Sequence, residues 1–158
     1  MHTTDYALLK KQLQSLLEGE ENWLANLANT SALIYEALPD LNWAGFYLNI
    51  GPELVLGPFQ GKPACVRIPL GKGVCGTTAE RREAIVVPDV HQFPGHIACD
   101  EASQSELVLP MITPEGRLLG VLDLDSPSLD RFSAADAQGL SELVSVLIAA
   151  TSWPEEFK

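Results

Sequence analysis

Leu107-Val108-Leu109-Pro110-Met111-Ile112-Thr113, then Pro114-Glu115-Gly116, then Arg117-Leu118-Leu119-Gly120-Val121-Leu122-Asp123-Leu124-Asp125 is a pair of apolar runs around a Pro/Gly turn. Runs of this length, bounded by turn residues, form strands, and a short turn between two of them makes a hairpin. The same pattern occurs earlier in the chain. Residues 42–50 alternate and are rich in aromatics, Gly51-Pro52 turns the chain, and residues 54–59 return. Strands joined as hairpins run antiparallel. The fold class is therefore α+β, with a central antiparallel sheet, and not a doubly wound nucleotide fold.

Helical spacing brackets the hairpins. Tyr6, Leu8, Leu9, Leu13, Leu16 and Leu17 predict a helix over 5–18, broken by Gly19. Trp23, Leu24, Leu27, Leu33, Ile34 and Leu38 predict a second over 20–38, ended by Pro39-Asp40. Ser133, with Asp136 three residues on, is a capping pair for a last helix striped by Leu140, Leu143, Val144, Leu147 and Ile148. The N- and C-terminal helices are expected to pack on one face of the sheet. Between the hairpins, residues 65–69 read as a short third strand. Gly71-Lys72-Gly73 opens a helix over 74–82, and 84–87 is a brief strand. Residues 88–105 form an irregular segment of 18 residues, a length that in a compact domain usually serves function. Residues 152–158 are expected to fray. The whole of 1–158 reads as one domain with no repeat or linker.

Composition narrows the function classes. The formal charge is −11, from 21 acids against 10 bases. That excludes phosphate-backbone binding, which needs clustered Lys and Arg, so no nucleic acid is expected as partner. It also argues against an anionic membrane surface. No apolar run approaches the roughly 20 residues of a spanning helix. The N-terminus has neither a basic flank nor an apolar signal core, so a cytoplasmic location is expected. In that compartment three cysteines do not form a permanent disulfide framework.

The cysteines are Cys65, Cys75 and Cys99. Cys65 lies in a strand-like run and fits a small buried residue. Cys75 lies at a helix start, where unpaired N–H groups and the helix dipole acidify a thiol. Cys99 sits in the long loop, open to a substrate, but Asp100 and Glu101 would raise its pKa. Local physics leaves Cys75 and Cys99 as equal candidates for the reactive thiol. A zinc site from these cysteines with His91 or His96 lacks the close ligand pairs of structural sites, so no metal is expected. Asp123 and Asp125 are at i and i+2 and share one face, with Leu122 and Leu124 on the other. Two such carboxylates repel, so one can stay protonated and serve as a general acid. With Glu106 they could instead hold an ammonium group. A solvated strand end is the plainer alternative. Trp43 and Tyr47 share a face opposite Phe46, as core or as the wall of a small pocket. His91 and His96 flank a Pro-Gly turn and read as solvated loop histidines. Gly71-x-Gly73 is too short a motif to imply phosphate binding.

Taken together, several stretches resemble the free methionine-(R)-sulfoxide reductases, which are GAF-domain enzymes. These are Asn42-Trp43-Ala44-Gly45-Phe46-Tyr47, Gly57-Pro58-Phe59-Gln60-Gly61-Lys62, Gly73-Val74-Cys75-Gly76-Thr77, Asp89-Val90-His91, Gly95-His96-Ile97-Ala98-Cys99-Asp100, Ser105-Glu106 and Gly120-Val121-Leu122-Asp123-Leu124-Asp125-Ser126. The resemblance covers about residues 20–150. It implies a GAF-like domain with a long active-site loop on the sheet face opposite the helices. It also implies reduction of free L-methionine (R)-S-oxide by a thiol, with thioredoxin as reductant, no cofactor, and a homodimer. By position, Cys99 matches the attacking cysteine, Cys65 the resolving one, and Cys75 a third of secondary role. Trp43 and Tyr47 match pocket aromatics beside the substrate methyl, and Glu106, Asp123 and Asp125 the pocket acids; Asp125 is the catalytic candidate among them, with the choice of proton donor left open. The backbone N–H groups of Ile97, Ala98 and Cys99 are the expected donors to the substrate carboxylate. A non-catalytic GAF ligand-binding module or a thiol redox sensor is the alternative function.

Overall fold

The computed structural model describes residues 3–97 and 99–157. In chain order the elements are α1 (Tyr6–Leu17), α2 (Trp23–Ala37), β1 (Trp43–Ile50), β2 (Glu53–Gly61), β3 (Arg67–Pro69), α3 (Gly73–Arg81), β4 (Ile85–Val87), a 3-10 turn (Val90–Gln92), β5 (Ser105–Ile112), β6 (Leu118–Ser126) and α4 (Ala134–Ala150). The six strands form one antiparallel sheet in the order β3-β2-β1-β6-β5-β4. The two predicted hairpins are β1–β2 and β5–β6. They join through β1 and β6, which pair at the centre.

One face of the sheet is apolar throughout. Ala44, Phe46, Leu48, Leu107, Leu109, Leu122 and Leu124 point to it and meet Leu9, Leu13, Leu27, Ile34, Leu140, Leu143 and Leu147 from α1, α2 and α4. Each fully buried side chain of this size contributes about 1.5–3 kcal/mol on removal from water. The helices are fixed at their starts. Asp5 and Asn22 cap α1 and α2, and Ser133 with Asp136 forms the predicted capping box on α4. Asp136 also accepts from Tyr6 Oη at 2.6 Å and pairs with buried Arg131 at 3.3 Å, so one carboxylate ties α1 to α4. Gly139 permits that contact: a Cβ there would lie 2.2 Å from the Tyr6 ring.

Two local expectations change. Cys65 is not in a strand, because β3 pairs with β2 only over Glu53–Val55 and begins at Arg67. The residues before it form an irregular segment opened by Pro63. Residues 152–157 do not fray. Phe157 is buried edge-on against Trp23 at 4.9 Å and bridges to Ile50. Arg117, at the start of the β6 arm, donates to the carbonyls of Pro154 and Phe157. Among the described residues no helix is long and apolar enough to cross a membrane.

Candidate active site

The opposite face of the sheet carries α3 and the irregular segments before β3 and β5. Sheet register assembles its chemistry. Trp43 on β1 lies opposite Asp125 on β6, and Asp125 lies opposite Glu106 on β5. Two residue pairs along, on the same face, Gly45 and Val108 flank Asp123. Three strands therefore bring Trp43, Asp125 and Glu106 into one row, with Asp123 beside it. Gly45 lets Phe59 and the Trp43 ring pack down onto β1, since a Cβ there would lie 2.2 Å from Phe59 and 2.8 Å from the Trp43 ring.

Trp43 stacks between Tyr47 (centroids 5.9 Å) and Phe59 (5.1 Å), and its indole N–H donates to the Lys62 carbonyl at 3.1 Å. Tyr47 Oη donates to the Cys65 carbonyl at 2.9 Å. Trp43 and Tyr47 are thus both packed and pocket-lining, and Tyr47 also anchors the segment that carries Cys65. Burial, and then the nearby Asp123, pushes the Tyr47 phenol up, so it stays a donor across the working pH range.

Cys65 and Cys99 form a disulfide with Cα atoms 5.5 Å apart, across 34 residues of sequence. Cys75 is a free thiol, buried in the first turn of α3. The acidification expected there from the helix start does not occur. Burial pushes the Cys75 thiol well up, and the Asp123, Glu106 and Asp125 carboxylates push it further. Burial of a thiol beside three carboxyl groups outweighs a helix-dipole effect of about 1 kcal/mol.

The three acids are not a solvated strand end. Glu106 and Asp123 are only 5% and 6% exposed. Burial raises all three pKa values. Asp123 and then Asp125 raise Glu106 further, and Asp123 raises Asp125. Hydrogen bonding with Glu106 and Cys75 holds Asp123 back against its own burial. Such a cluster keeps protons that isolated carboxyls lose near pH 4. Asp123 Oδ1 is buried and accepts no hydrogen bond among the described residues.

A cavity of about 40 Å³ lies between these groups. Trp43, Tyr47, Cys75, Cys99, Asp123 and Asp125 line it, together with Glu106, His96 and Ile97. Ile97 closes it against α3, and a Cβ on Gly73 would meet the Ile97 side chain at 3.0 Å. Ala98 lies outside the described residues. His96 is not a solvated loop histidine. It lines the cavity with Nε2 3.9 Å from Glu106 Oε1, and burial lowers its pKa, so the ring is neutral at pH 7. Asn42 is a participant that the sequence reading missed. Its Nδ2 donates to Asp100 at 2.9 Å and Ser103 at 3.1 Å, strapping the Cys99 segment to the start of β1. Nothing local distinguishes it from any asparagine preceding a strand.

A disulfide opening onto a pocket of proton-holding acids is the equipment of a thiol-dependent redox domain. A GAF-domain family model matches residues 21–151. The free methionine-R-sulfoxide reductase of Escherichia coli (strain K12) is 53% identical over 158 residues, covering 98% of this chain and 95% of that protein. The reduced form of fRMsr from Staphylococcus aureus superposes with a TM-score of 0.91 at 50% identity, over 95% of this chain and 97% of that one. A free methionine-R-sulfoxide reductase from Neisseria meningitidis, solved in complex with its substrate, gives 0.87 at 43% identity over 95% of both chains. This chain belongs to the GAF-domain family, among its free methionine-R-sulfoxide reductases.

Proposed function

We propose that this oxidoreductase reduces free L-methionine (R)-S-oxide to L-methionine, with Cys99 as attacking thiol, Cys65 as resolving thiol and Asp125 as proton donor. The observation that carries the reading is the Cys65–Cys99 disulfide at the rim of the row formed by Trp43, Asp125 and Glu106.

A sulfoxide sulfur is a poor electrophile until its oxygen is protonated. A carboxyl group that stays protonated near neutral pH supplies that proton, and Asp125 is the one assigned to this role here. The Cys99 thiolate then attacks sulfur and takes the oxygen, so methionine leaves and Cys99 becomes a sulfenic acid. The Cys65 thiol condenses with it, releasing water and forming the disulfide. In total two thiols are oxidised, one sulfoxide is reduced and one water forms. Thioredoxin returns the disulfide to thiols. Cys75, buried and raised in pKa, stays out of the first step.

The pocket also explains a preference for the free amino acid. Glu106 and Asp123 suit an ammonium group, which a methionine within a chain lacks. The Trp43–Tyr47 wall suits the methyl group, and the Ile97 backbone N–H suits the carboxylate, whereas the Cys99 N–H is already given to the Ile97 carbonyl at 3.1 Å. The reading extends to a cytoplasmic homodimer. Incubation with both diastereomers of free methionine sulfoxide and a thiol reductant tests it. Loss of the (R) form alone is expected. Loss of neither form would overturn the reading and leave a thiol redox sensor.

A further inference from the structure

Cys75 Sγ and one carboxylate oxygen each from Glu106 and Asp123 lie within 4.8 Å of one another. All three residues are buried, at 4%, 5% and 6% exposure, and all three line the same cavity. Four-coordinate zinc holds thiolate sulfur at about 2.3 Å and carboxylate oxygen at about 2.0–2.2 Å, which places such donors about 3.5 Å apart. The three atoms therefore lie at most about 1.3 Å beyond that spacing, within reach of small side-chain rotations. A second feature points the same way: Asp123 Oδ1 is buried with no donor from outside the cluster, the hydrogen bonds of Asp123 running only to Glu106 and Cys75. Buried carboxylate oxygens are normally partnered, and an orphan of this kind marks the place of a missing donor or cation. His96 Nε2, 3.9 Å from Glu106 Oε1, lies outside this donor set, which leaves the fourth position to water. The disulfide does not use Cys75, so these donors are present in the oxidised as well as the reduced protein.

We infer that Cys75, Glu106 and Asp123 form an inhibitory binding site for a thiophilic divalent cation of the zinc class. One thiolate with two carboxylates suits zinc or cobalt(II), and excludes magnesium and calcium, which take oxygen donors only. No step of the reduction runs through the cation. It occupies the space in which Glu106 and Asp123 would hold the substrate ammonium. The inhibition, unlike the binding, rests on the function proposed above.

Cobalt(II) titration of the fully oxidised protein is the test, because Cys75 is then the one free thiol. The expected result is a thiolate-to-cobalt charge-transfer band with tetrahedral ligand-field bands. They saturate near one equivalent and are displaced by one equivalent of zinc(II). Asp123→Asn and Glu106→Gln should each weaken zinc binding at least tenfold, and Cys75→Ser should abolish the charge-transfer band. Absence of the band in the unsubstituted protein overturns the site whether or not the variants fold. A band that both carboxylate variants leave unchanged also overturns it, since the thiol would then bind alone. Disulfide formation in desalted, reduced enzyme given one equivalent of methionine (R)-sulfoxide should slow on adding zinc(II) and recover with a chelator. An unchanged rate beside a clear cobalt spectrum overturns the inhibition. Absence of turnover without any metal instead counts against the proposed function and leaves the site standing.

Discussion

The two faces of the sheet are made by the same strands, one residue in two, yet they follow opposite rules. Leu122 and Leu124 point into a dry layer of leucines under three helices, whereas Asp123 and Asp125 point into a pocket of acids, sulfur and aromatics. The helix face gains free energy from every residue it buries. The pocket face spends free energy, because burying three mutually repelling acids is unfavourable. The contrast teaches a division of labour: stability is gathered on one side so that the other can hold protons under strain.

Substitutions on each face can break or sharpen this contrast. Cys99→Ser should abolish turnover of methionine (R)-sulfoxide and leave the unfolding temperature of the reduced protein unchanged. Product chromatography beside calorimetry measures both, and appreciable residual turnover would move the attack to Cys75. Asp125→Asn should slow enzyme oxidation by about 10²–10⁴-fold, the usual worth of a general acid. Rapid-quench measurement of disulfide formation reports it, and a normal rate would remove Asp125 as the donor. Leu13→Ala, on the other face, should cost about 2–5 kcal/mol of stability while sparing the turnover number of the folded protein. A large loss of turnover below the melting range would show that the faces are not independent.

The pH response sharpens the contrast further. Asp125 has a folded pKa raised above its unfolded value, so the folded chain binds more protons once the pH passes the ordinary carboxyl range. Its contribution is therefore fully present below about pH 4 and is lost as pH rises through the folded pKa. Asp125→Asn should then stabilise the protein more at about pH 7.5 than at about pH 4. Equal effects in urea melts at the two pH values would contradict the raised pKa. The smallest effect is expected from Trp43→Phe. It removes the bond to the Lys62 carbonyl, worth about 0.5–1.5 kcal/mol, and should raise KM only a few-fold.

Much of the helix face was legible in the sequence. Strand alternation separated Phe46 from Trp43 and Tyr47, and Leu122 and Leu124 from Asp123 and Asp125. Apolar stripes and the Ser133–Asp136 pair located the helices. These are short-range signals, with periods of two or three to four residues. The pocket face depends on long-range pairing. That Glu106 lies opposite Asp125 follows from the β5–β6 register, and that Asp125 lies opposite Trp43 follows from two strands 80 residues apart. The thiol of Cys75 looked activated because the helix start is local, whereas the acids that oppose it arrive from β5 and β6. The burial of His96 and the strap from Asn42 depend on the same tertiary contacts. The chain end looked free because its anchor, Arg117, lies about 40 residues away.

The β5–β6 hairpin constrains how this lineage can change. A single residue gained or lost inside β6 would turn every later side chain through the sheet, sending Asp125 among the leucines and a leucine into the pocket. Descendants can therefore exchange residues along the strand, but tolerated changes of length should gather at the turn over 114–116, where the residues are exposed and outside both layers. A record of insertions and deletions across descendants would then mark the two working faces as silent stretches, readable without any knowledge of the chemistry.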